Sequence, residues 1–201
     1  MQVRSRTSRE IEIKLPIADI PDLIRKMRRL GASPRGRVLE RNVLYDTPDS
    51  DFWRRGYLLR IRTETPAPSG PIRGGRRLSR VTFKAPISFR NPSRYKERLE
   101  RELRLRRGGD WEQNLLSIGF RLGFQYEKYR TRFRLKGLDL DVDETPAGVF
   151  LELEGAPARI DRVARALGFA PRHYIRGTYW DIYVADCRRR GRNPKNMLFQ
   201  A

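Results

Sequence analysis

The sequence predicts an α+β protein, built as an eight-stranded antiparallel β-barrel that closes into a tunnel, with short helices packed outside and at the C-terminal end. Charged residues alternate with apolar ones, as in Glu10-Ile-Glu12-Ile-Lys14, and a period of two is that of a β-strand. Six segments show this alternation and lead to eight predicted strands, whereas helical spacing is confined to short stretches. So few helices would leave an open sheet partly uncovered, which favours closure into a barrel.

The predicted strands are runs rich in alternating residues and bounded by turn residues. They cover 8–15, 37–46, 57–64, 79–86, 94–106, 124–135, 138–144 and 148–155. On any one strand the same alternation also fits an open sheet with its charged face in water. The recurrence of the pattern along the chain, with few helices to cover the apolar faces of eight strands, favours a closed barrel.

Four short helices are predicted between and after the strands. They cover 19–30, 110–119, 157–167 and 175–189. The first and third end at Gly31 and Gly168, and Asp110 with Gln113 three residues later has the pattern of a capping box. The last helix carries an apolar face that begins at Ile175.

The chain is expected to form one domain over residues 1–187, followed by a basic tail over 188–201. Residues 65–77 combine proline, glycine and arginine without periodicity, which predicts a flexible loop between two strands. The tail begins as a basic run and ends apolar, so its last residues are expected to dock on the body.

The formal net charge of +20 predicts a partner rich in negative charge, such as a polyphosphate, a nucleotide or a nucleic acid. The arginine-rich loop over 65–80 and the tail could add a secondary polyanion-binding surface. Cys187 is the only cysteine, so a disulfide within one chain is excluded and a reducing, cytoplasmic location is expected. No apolar segment approaches the length of a signal peptide or a membrane span.

If the charged faces point inward, the barrel interior holds many charges that need partners, because an unpaired buried ion loses several kcal/mol of hydration. Mg²⁺ or Mn²⁺ would satisfy carboxylates, since both prefer hard oxygen ligands. A polyphosphate would satisfy arginine and lysine side chains, because guanidinium groups match phosphate oxygens bidentately. The pattern therefore indicates a metal-bound triphosphate.

Glu10, Glu12 and Lys14 form a Glu-x-Glu-x-Lys motif that resembles the N-terminal signature of the CYTH superfamily, also called triphosphate tunnel metalloenzymes. The resemblance continues in family order over about residues 8–185. It includes the paired Arg60 and Arg62, Lys84 in VTFK, the acidic pair Glu100 and Glu102, Lys128 with Arg130, the acidic stretch from Asp143 to Glu152 and Glu154, and the segment HYIRGTYW at 173–180.

This resemblance implies a metal-dependent triphosphatase that hydrolyses inorganic triphosphate or another triphosphate, such as a nucleoside or thiamine triphosphate. Six cations would bind the phosphates and act in catalysis: Lys14, Arg60, Arg62, Lys84, Lys128 and Arg130. The carboxylates would hold Mg²⁺ or Mn²⁺: Glu10, Glu12, Glu100, Glu102, Asp143, Glu152 and Glu154. The family also suggests a homodimer.

Two other functions stay open at this point. A class IV adenylyl cyclase of the same family would use the same residues to convert ATP to cyclic AMP and pyrophosphate, and a non-catalytic binder of polyphosphate or nucleic acid would need only the arginine excess.

Four further residues occupy alternate strand positions that place them on the same face as the site residues: Arg104, Arg132, Arg134 and Asp141. His173 is interpreted as a surface or capping residue, and Trp53, Trp111 and Trp180 as packing residues, with base stacking as the alternative.

Overall fold

Eight antiparallel strands close into a barrel in the computed structural model, which describes residues 6–67, 77–87, 93–106 and 109–200. The strands are β1 (Arg6–Ile17), β2 (Ser33–Asp46), β3 (Leu58–Pro66), β4 (Leu78–Pro86), β5 (Lys96–Arg104), β6 (Arg121–Leu135), β7 (Leu138–Thr145) and β8 (Gly148–Glu154). Their order around the barrel is β1-β5-β4-β3-β2-β6-β7-β8, and β8 pairs back onto β1. The predicted closed barrel is therefore confirmed.

Short helices pack around this barrel, as predicted. They are α1 (Ile20–Arg29), α2 (Asp51–Arg54), α3 (Trp111–Ser117), α4 (Pro157–Ala166) and α5 (Tyr179–Arg189), with a 3₁₀ turn at Pro171–His173. Helices α1 and α4 end close to the predicted positions, because Gly31 (φ +88°) and Gly168 (φ +94°) adopt the left-handed conformation that follows many helix ends. No helix in the described part of the chain is long and apolar enough to span a membrane.

Three details of the predicted helices are wrong. Helix α5 begins later than residue 175, because Ile175 exchanges backbone hydrogen bonds of 3.0 and 2.9 Å with Lys14 on β1. Asp110 precedes α3, but its side chain makes no capping hydrogen bond. Helix α2 was not predicted, since four residues are too few to show a helical period.

The main apolar core lies outside the barrel wall, under α1 and α4. Outward-facing side chains of β1, β7 and β8, such as Ile13, Leu140 and Leu153, pack there against Met27 of α1 and Ile160 of α4. All five of these side chains are fully buried. Because successive strand residues point to opposite faces, the same wall turns its charged residues toward the inside.

The C-terminal tail docks on the body, as its apolar end predicts. Met197 is buried and its backbone bonds to Gln125 and Glu127 of β6 at 2.9 Å each. The division of the chain at residue 187 stays a prediction. Residues 68–76 of the predicted basic loop lie outside the described residues.

Candidate active site

A cavity of about 990 Å³ extends along the barrel interior and is lined by residues from all eight strands. Its lining on β6 includes Phe124 and Arg132, which are roughly 26 Å apart along the strand at about 3.3 Å per residue. The cavity is thus long enough to hold an extended chain of phosphates.

The structure brings the predicted site residues together on the inner wall, with one exception. The residues that line the cavity are Lys14, Arg60, Arg62, Lys84, Lys128 and Arg130, and Glu10, Glu12, Glu100, Glu102, Glu152 and Glu154. Asp143 is the exception, because it lies behind this surface.

Lys84 connects β4 to both neighbouring acidic strands. Its Nζ atom lies 2.5 Å from Glu10 Oε1 on β1 and 2.8 Å from Glu100 Oε2 on β5. Burial opposes the charged form of this lysine, but the carboxylates of Glu10 and Glu100 raise its pKa above the usual value. Lys84 therefore stays a cation inside the barrel.

Lys14 is held in the same way on the other side of β1. Its Nζ atom lies 2.8 Å from Glu12 Oε1 and 3.2 Å from Glu152 Oε1. A second lysine, Lys96, reaches the same Glu12 oxygen at 2.9 Å. Burial disfavours the ionised form of Glu12, but Lys14 and Lys96 hold its pKa below the usual range, so the carboxylate remains charged.

Asp143 is fully buried, and its carboxylate accepts hydrogen bonds from three side chains. Arg130 donates from Nε at 2.7 Å and from Nη2 at 2.6 Å, and Lys128 Nζ donates at 2.7 Å. The hydroxyl of Tyr179, the first residue of α5, donates to the same carboxylate at 2.6 Å. Asp143 thereby fixes two cations that line the cavity.

A fully buried carboxylate that the sequence did not indicate, Glu40 of β2, lies among four cations. Its oxygens are 3.1 Å from Arg132 Nη2, 3.4 Å from Arg62 Nε, 3.6 Å from Lys128 Nζ and 3.7 Å from Arg130 Nε. Burial disfavours its charged form, but these cations keep the pKa of Glu40 well below the usual value. Glu40 thus offsets positive charge at the cationic side of the cavity.

Arg60 differs from the other predicted cations because it forms no ion pair with any described residue. Its Nη1 donates to the Tyr126 hydroxyl at 3.3 Å and its Nη2 to Thr82 Oγ1 at 3.4 Å. Its Nε is buried and has no hydrogen-bond partner in the described ranges. Arg60 therefore presents a guanidinium to the cavity that no described carboxylate approaches within ion-pair distance.

Three carboxylates crowd together where β1 meets β8: Glu10, Glu12 and Glu154. Glu12 of β1 lies directly opposite Glu154 of β8 in the strand register. Part of Glu154 faces the open cavity, yet desolvation inside the barrel and the charges of Glu10 and Glu12 raise its pKa to about 8. Burial and the charge of Glu12 also raise the pKa of Glu10, and Glu10 Oε2 is buried without a hydrogen-bond donor among the described residues.

The chemistry of these carboxylates fits a divalent cation, because they repel one another, Glu10 Oε2 has no donor among the described residues, and carboxylate oxygens are ligands of the kind that Mg²⁺ and Mn²⁺ prefer. Among the described residues, no group of three or more His, Cys, Asp or Glu side chains is already arranged to hold an ion. Lysines and arginines instead occupy many of the carboxylate oxygens.

Residues beyond the main prediction also reach the cavity. Arg132 and Asp141 line it, whereas Arg134 pairs with Asp139 on a more exposed part of the wall and Arg104 is exposed. Lining residues that were not predicted include Arg80, Lys96, Arg98, Tyr126 and Tyr179. The alternation in β5 would have found Lys96 and Arg98, because they share the parity of its two acidic residues.

Aromatic side chains line the end of the cavity near α2 and α5. Trp53 is 51% exposed and meets Trp180 edge-on, with ring centroids 6.3 Å apart. The ring centroids of Trp180 and Phe124 are 4.9 Å apart.

The turn after α2 is held against the charged wall by a hydrogen bond. Arg98 Nη1 donates to the carbonyl of Gly56 at 2.6 Å.

The family model of the CYTH domain matches residues 8–167. The chain belongs to the CYTH family. Proteins of the CYTH family are generally enzymes, either triphosphatases or cyclases, that bind triphosphate substrates and use divalent metals. The predicted family membership is confirmed.

Solved structures share this CYTH fold. A Pyrococcus horikoshii OT3 protein has a TM-score of 0.70 at 22% identity, over 88% of this chain and 98% of the other. A candidate adenylate cyclase from Vibrio parahaemolyticus has a TM-score of 0.68 at 16% identity, over 86% and 96%. A candidate adenylyl cyclase from Hippeastrum, described as having a dominant triphosphatase activity, has a TM-score of 0.55 at 17% identity, over 92% and 97%. No curated protein sequence matches the chain.

Proposed function

We propose that this CYTH protein is a divalent-metal-dependent triphosphatase that hydrolyses inorganic triphosphate or another triphosphate, such as a nucleoside or thiamine triphosphate. Arg60 is the observation that carries this proposal. A buried charge without a partner costs several kcal/mol, so a guanidinium that is buried and forms no ion pair with the described residues favours an external anion.

The other predicted cations line the same cavity as Arg60, and we assign all six to the phosphates: Lys14, Arg60, Arg62, Lys84, Lys128 and Arg130. Arginine forks match phosphate oxygens bidentately and lysines add point charges. Phosphoryl transfer depends mainly on positioning and on stabilising the charge of the transferred group. Cations held rigidly by carboxylates supply both effects without reorganising during the reaction.

We assign the metal, Mg²⁺ or Mn²⁺, to the carboxylates that line the cavity: Glu10, Glu12, Glu100, Glu102, Glu152 and Glu154. When bound, a divalent ion neutralises phosphate charge and polarises water. For Asp143 we propose a positioning role instead, because its carboxylate is already occupied by Lys128, Arg130 and Tyr179.

The reaction that fits this arrangement is hydrolysis at the terminal phosphorus. A bond forms between the water oxygen and that phosphorus, and the bond from the phosphorus to the bridging oxygen breaks. The products are orthophosphate and the remaining diphosphate. A wall carboxylate that does not hold the ion orients the water. No serine, cysteine or histidine nucleophile is needed.

An activity assay tests the proposal. The purified protein is incubated with tripolyphosphate, ATP or thiamine triphosphate, each with Mg²⁺ or Mn²⁺, and orthophosphate and cyclic AMP are measured separately. We expect orthophosphate release from at least one substrate and its loss on addition of EDTA. Cyclic AMP and pyrophosphate as the only products would instead establish a cyclase. Tight binding without turnover, insensitive to EDTA and steeply dependent on salt, would establish a polyanion binder.

The homodimer, the cytoplasmic location and secondary polyanion binding stay predictions. For the tail, the cations are partly neutralised, because Arg189, Arg190 and Arg192 all pair with the buried Asp186.

A further inference from the structure

We propose that Tyr126 is a further catalytic residue, and that its phenol donates a proton to the oxygen that leaves the terminal phosphorus. This inference rests on the proposed triphosphatase, because it assigns the general acid of the same step. The carboxylates of the wall are assigned to the metal and to the attacking water, so the proton for the leaving oxygen has to come from another group.

The first argument is the position of the phenol. Tyr126 shares the inner face of β6 with Phe124 and Lys128, is 6% exposed and lines the cavity. Its hydroxyl accepts a hydrogen bond from Arg60 Nη1 at 3.3 Å. Because Arg60 is the phosphate-binding cation that has no carboxylate partner among the described residues, a phosphate bound to it lies next to this hydroxyl.

The second argument is the direction of the phenolic proton. An oxygen lone pair faces Arg60, and no described residue accepts the hydrogen of the Tyr126 hydroxyl. Tyr179 also lines the cavity, but its hydroxyl donates to Asp143 at 2.6 Å. Of these two phenols, that of Tyr126 keeps its proton available for a ligand.

The third argument is the charge around the phenol. Burial disfavours its ionised form, but Arg60, Lys128 and Arg62 lower the pKa of Tyr126 below the usual value. Its neighbours on β2, α5 and the tail are uncharged: Asn42, Tyr179 and Met197. The phenol therefore gives up its proton more readily than a free tyrosine, and the cations stabilise the phenolate that remains.

The lysines of the site are less suited to donate this proton. Burial opposes the charged forms of Lys14 and Lys84, but neighbouring carboxylates raise the pKa of both side chains above the usual value. A lysine with a raised pKa holds its proton more tightly, so it serves better as a fixed charge than as an acid.

The fourth argument is the rigidity of the ring. Tyr126 stacks on Phe124 with ring centroids 5.4 Å apart and contacts Tyr179 at 5.8 Å. The strand is held on its free edge by the tail, where the backbone of Glu127 donates to Met197 at 2.9 Å. A fixed phenol supplies the orientation that proton transfer to a bound ligand requires.

In the chemical step, the water oxygen bonds to the terminal phosphorus and the bond to the bridging oxygen breaks, with its electron pair staying on that oxygen. The bridging oxygen takes the phenolic proton, and Tyr126 is left as a phenolate beside Arg60. The attacking water releases a proton to the solvent, and the phenolate regains one from the solvent before the next turnover.

Tyr126→Phe tests the inference because it removes the hydroxyl and keeps the ring. We expect it to lower kcat by about 100-fold or more, as loss of a general acid typically does, for whichever triphosphate the wild type hydrolyses. The dissociation constant of tripolyphosphate, measured by calorimetry, should stay close to the wild-type value. Tyr129→Phe is the matched control on the same strand, since its ring packs on the other face against Arg37 and Phe199, and it should leave both values unchanged.

A second measurement follows kcat against pH. A general acid must be protonated to act, so kcat should fall as the pH rises through the pKa of the phenol. With difluorotyrosine in place of Tyr126, whose ring fluorines make the phenol more acidic, this fall should move to lower pH. In Tyr126→Phe it should disappear.

The inference is overturned if Tyr126→Phe keeps the wild-type kcat, or if the fall in kcat stays at the same pH in the fluorinated protein. It is also overturned if Tyr126→Phe weakens tripolyphosphate binding as strongly as it lowers kcat, because the phenol would then only orient Arg60. A wild type that releases no orthophosphate refutes the triphosphatase together with its acid. A wild type that hydrolyses triphosphate while Tyr126→Phe is equally active refutes the role of Tyr126 alone.

Discussion

The guanidinium of Arg130 holds the carboxylate of Asp143 by two hydrogen bonds, from Nε to Oδ1 at 2.7 Å and from Nη2 to Oδ2 at 2.6 Å. Breaking a buried ion pair from one side costs about 3–5 kcal/mol because the remaining charge loses its partner. We therefore expect Asp143→Asn to lower the free energy of unfolding by about 3 kcal/mol, measured by urea denaturation. Asp139→Asn on the same strand is the control.

Asp139 pairs with Arg134 on a largely solvent-exposed part of the wall. Exposed ion pairs contribute about 0–1 kcal/mol, so Asp139→Asn should change the stability by less than about 1 kcal/mol. Equal losses in the two variants would contradict the positioning role of Asp143.

Replacement of Arg60 should separate stability from activity. Since Arg60 forms no ion pair with the described residues, Arg60→Met leaves no carboxylate unpaired and should not lower the free energy of unfolding. Loss of one preorganised charge-stabilising group typically lowers kcat about 100- to 1,000-fold, and phosphate release should fall on that scale. Arg41→Met, which removes an exposed arginine from the neighbouring strand β2, should keep wild-type turnover.

Metal removal should stop turnover without unfolding the chain. EDTA is expected to reduce phosphate release to background, and excess Mg²⁺ or Mn²⁺ to restore it, while circular dichroism stays unchanged because ion pairs also satisfy the wall. Glu10→Gln should raise the half-saturating Mg²⁺ concentration about tenfold or more, since even indirect loss of ligand support costs about 10- to 100-fold in metal affinity. Glu97→Gln, beside the exposed Arg9, should have no effect, and an equal shift in both variants would argue against the assignment of Glu10.

The outer core should determine stability with little influence on catalysis. Leu153 is fully buried against the helices outside the wall, whereas Leu99 is 46% exposed. Leu153→Ala should lower the free energy of unfolding by about 2–5 kcal/mol, and Leu99→Ala by less than about 1 kcal/mol. Thermal denaturation and kcat are measured on both, and a lower kcat in a folded Leu153→Ala protein would show that the wall is coupled to the site.

The strands and their inward parity could be predicted because alternation is a local property of the sequence. Glu10, Glu12 and Lys14 repeat with the strand period and therefore share one face. Closure of the barrel could also be predicted, because eight strands with few helices would leave an open sheet partly uncovered, but the pairing of β8 with β1 that closes it joins distant segments.

Other parts of the site depend on contacts between distant segments, which no local pattern records. Glu40 stands next to Arg41 and Asn42 in a stretch without alternation, yet it lies among cations of β3 and β6. Tyr179 reaches Asp143 only because α5 closes over the end of the barrel. Asp143 was predicted to be a metal ligand, but with the Tyr179 hydroxyl bonded to its carboxylate it does not line the cavity.

The position of the apolar core outside the barrel has an evolutionary consequence. In most small domains a mutation in the binding pocket also disturbs the packing that keeps the protein folded. Here Leu153 and its neighbours secure the fold from the outer face, while the residues one step along the strand, Glu152 and Glu154, line the cavity. We therefore expect that the ligand preference can change through exchange of inner side chains in charge-balanced pairs without loss of the outer packing.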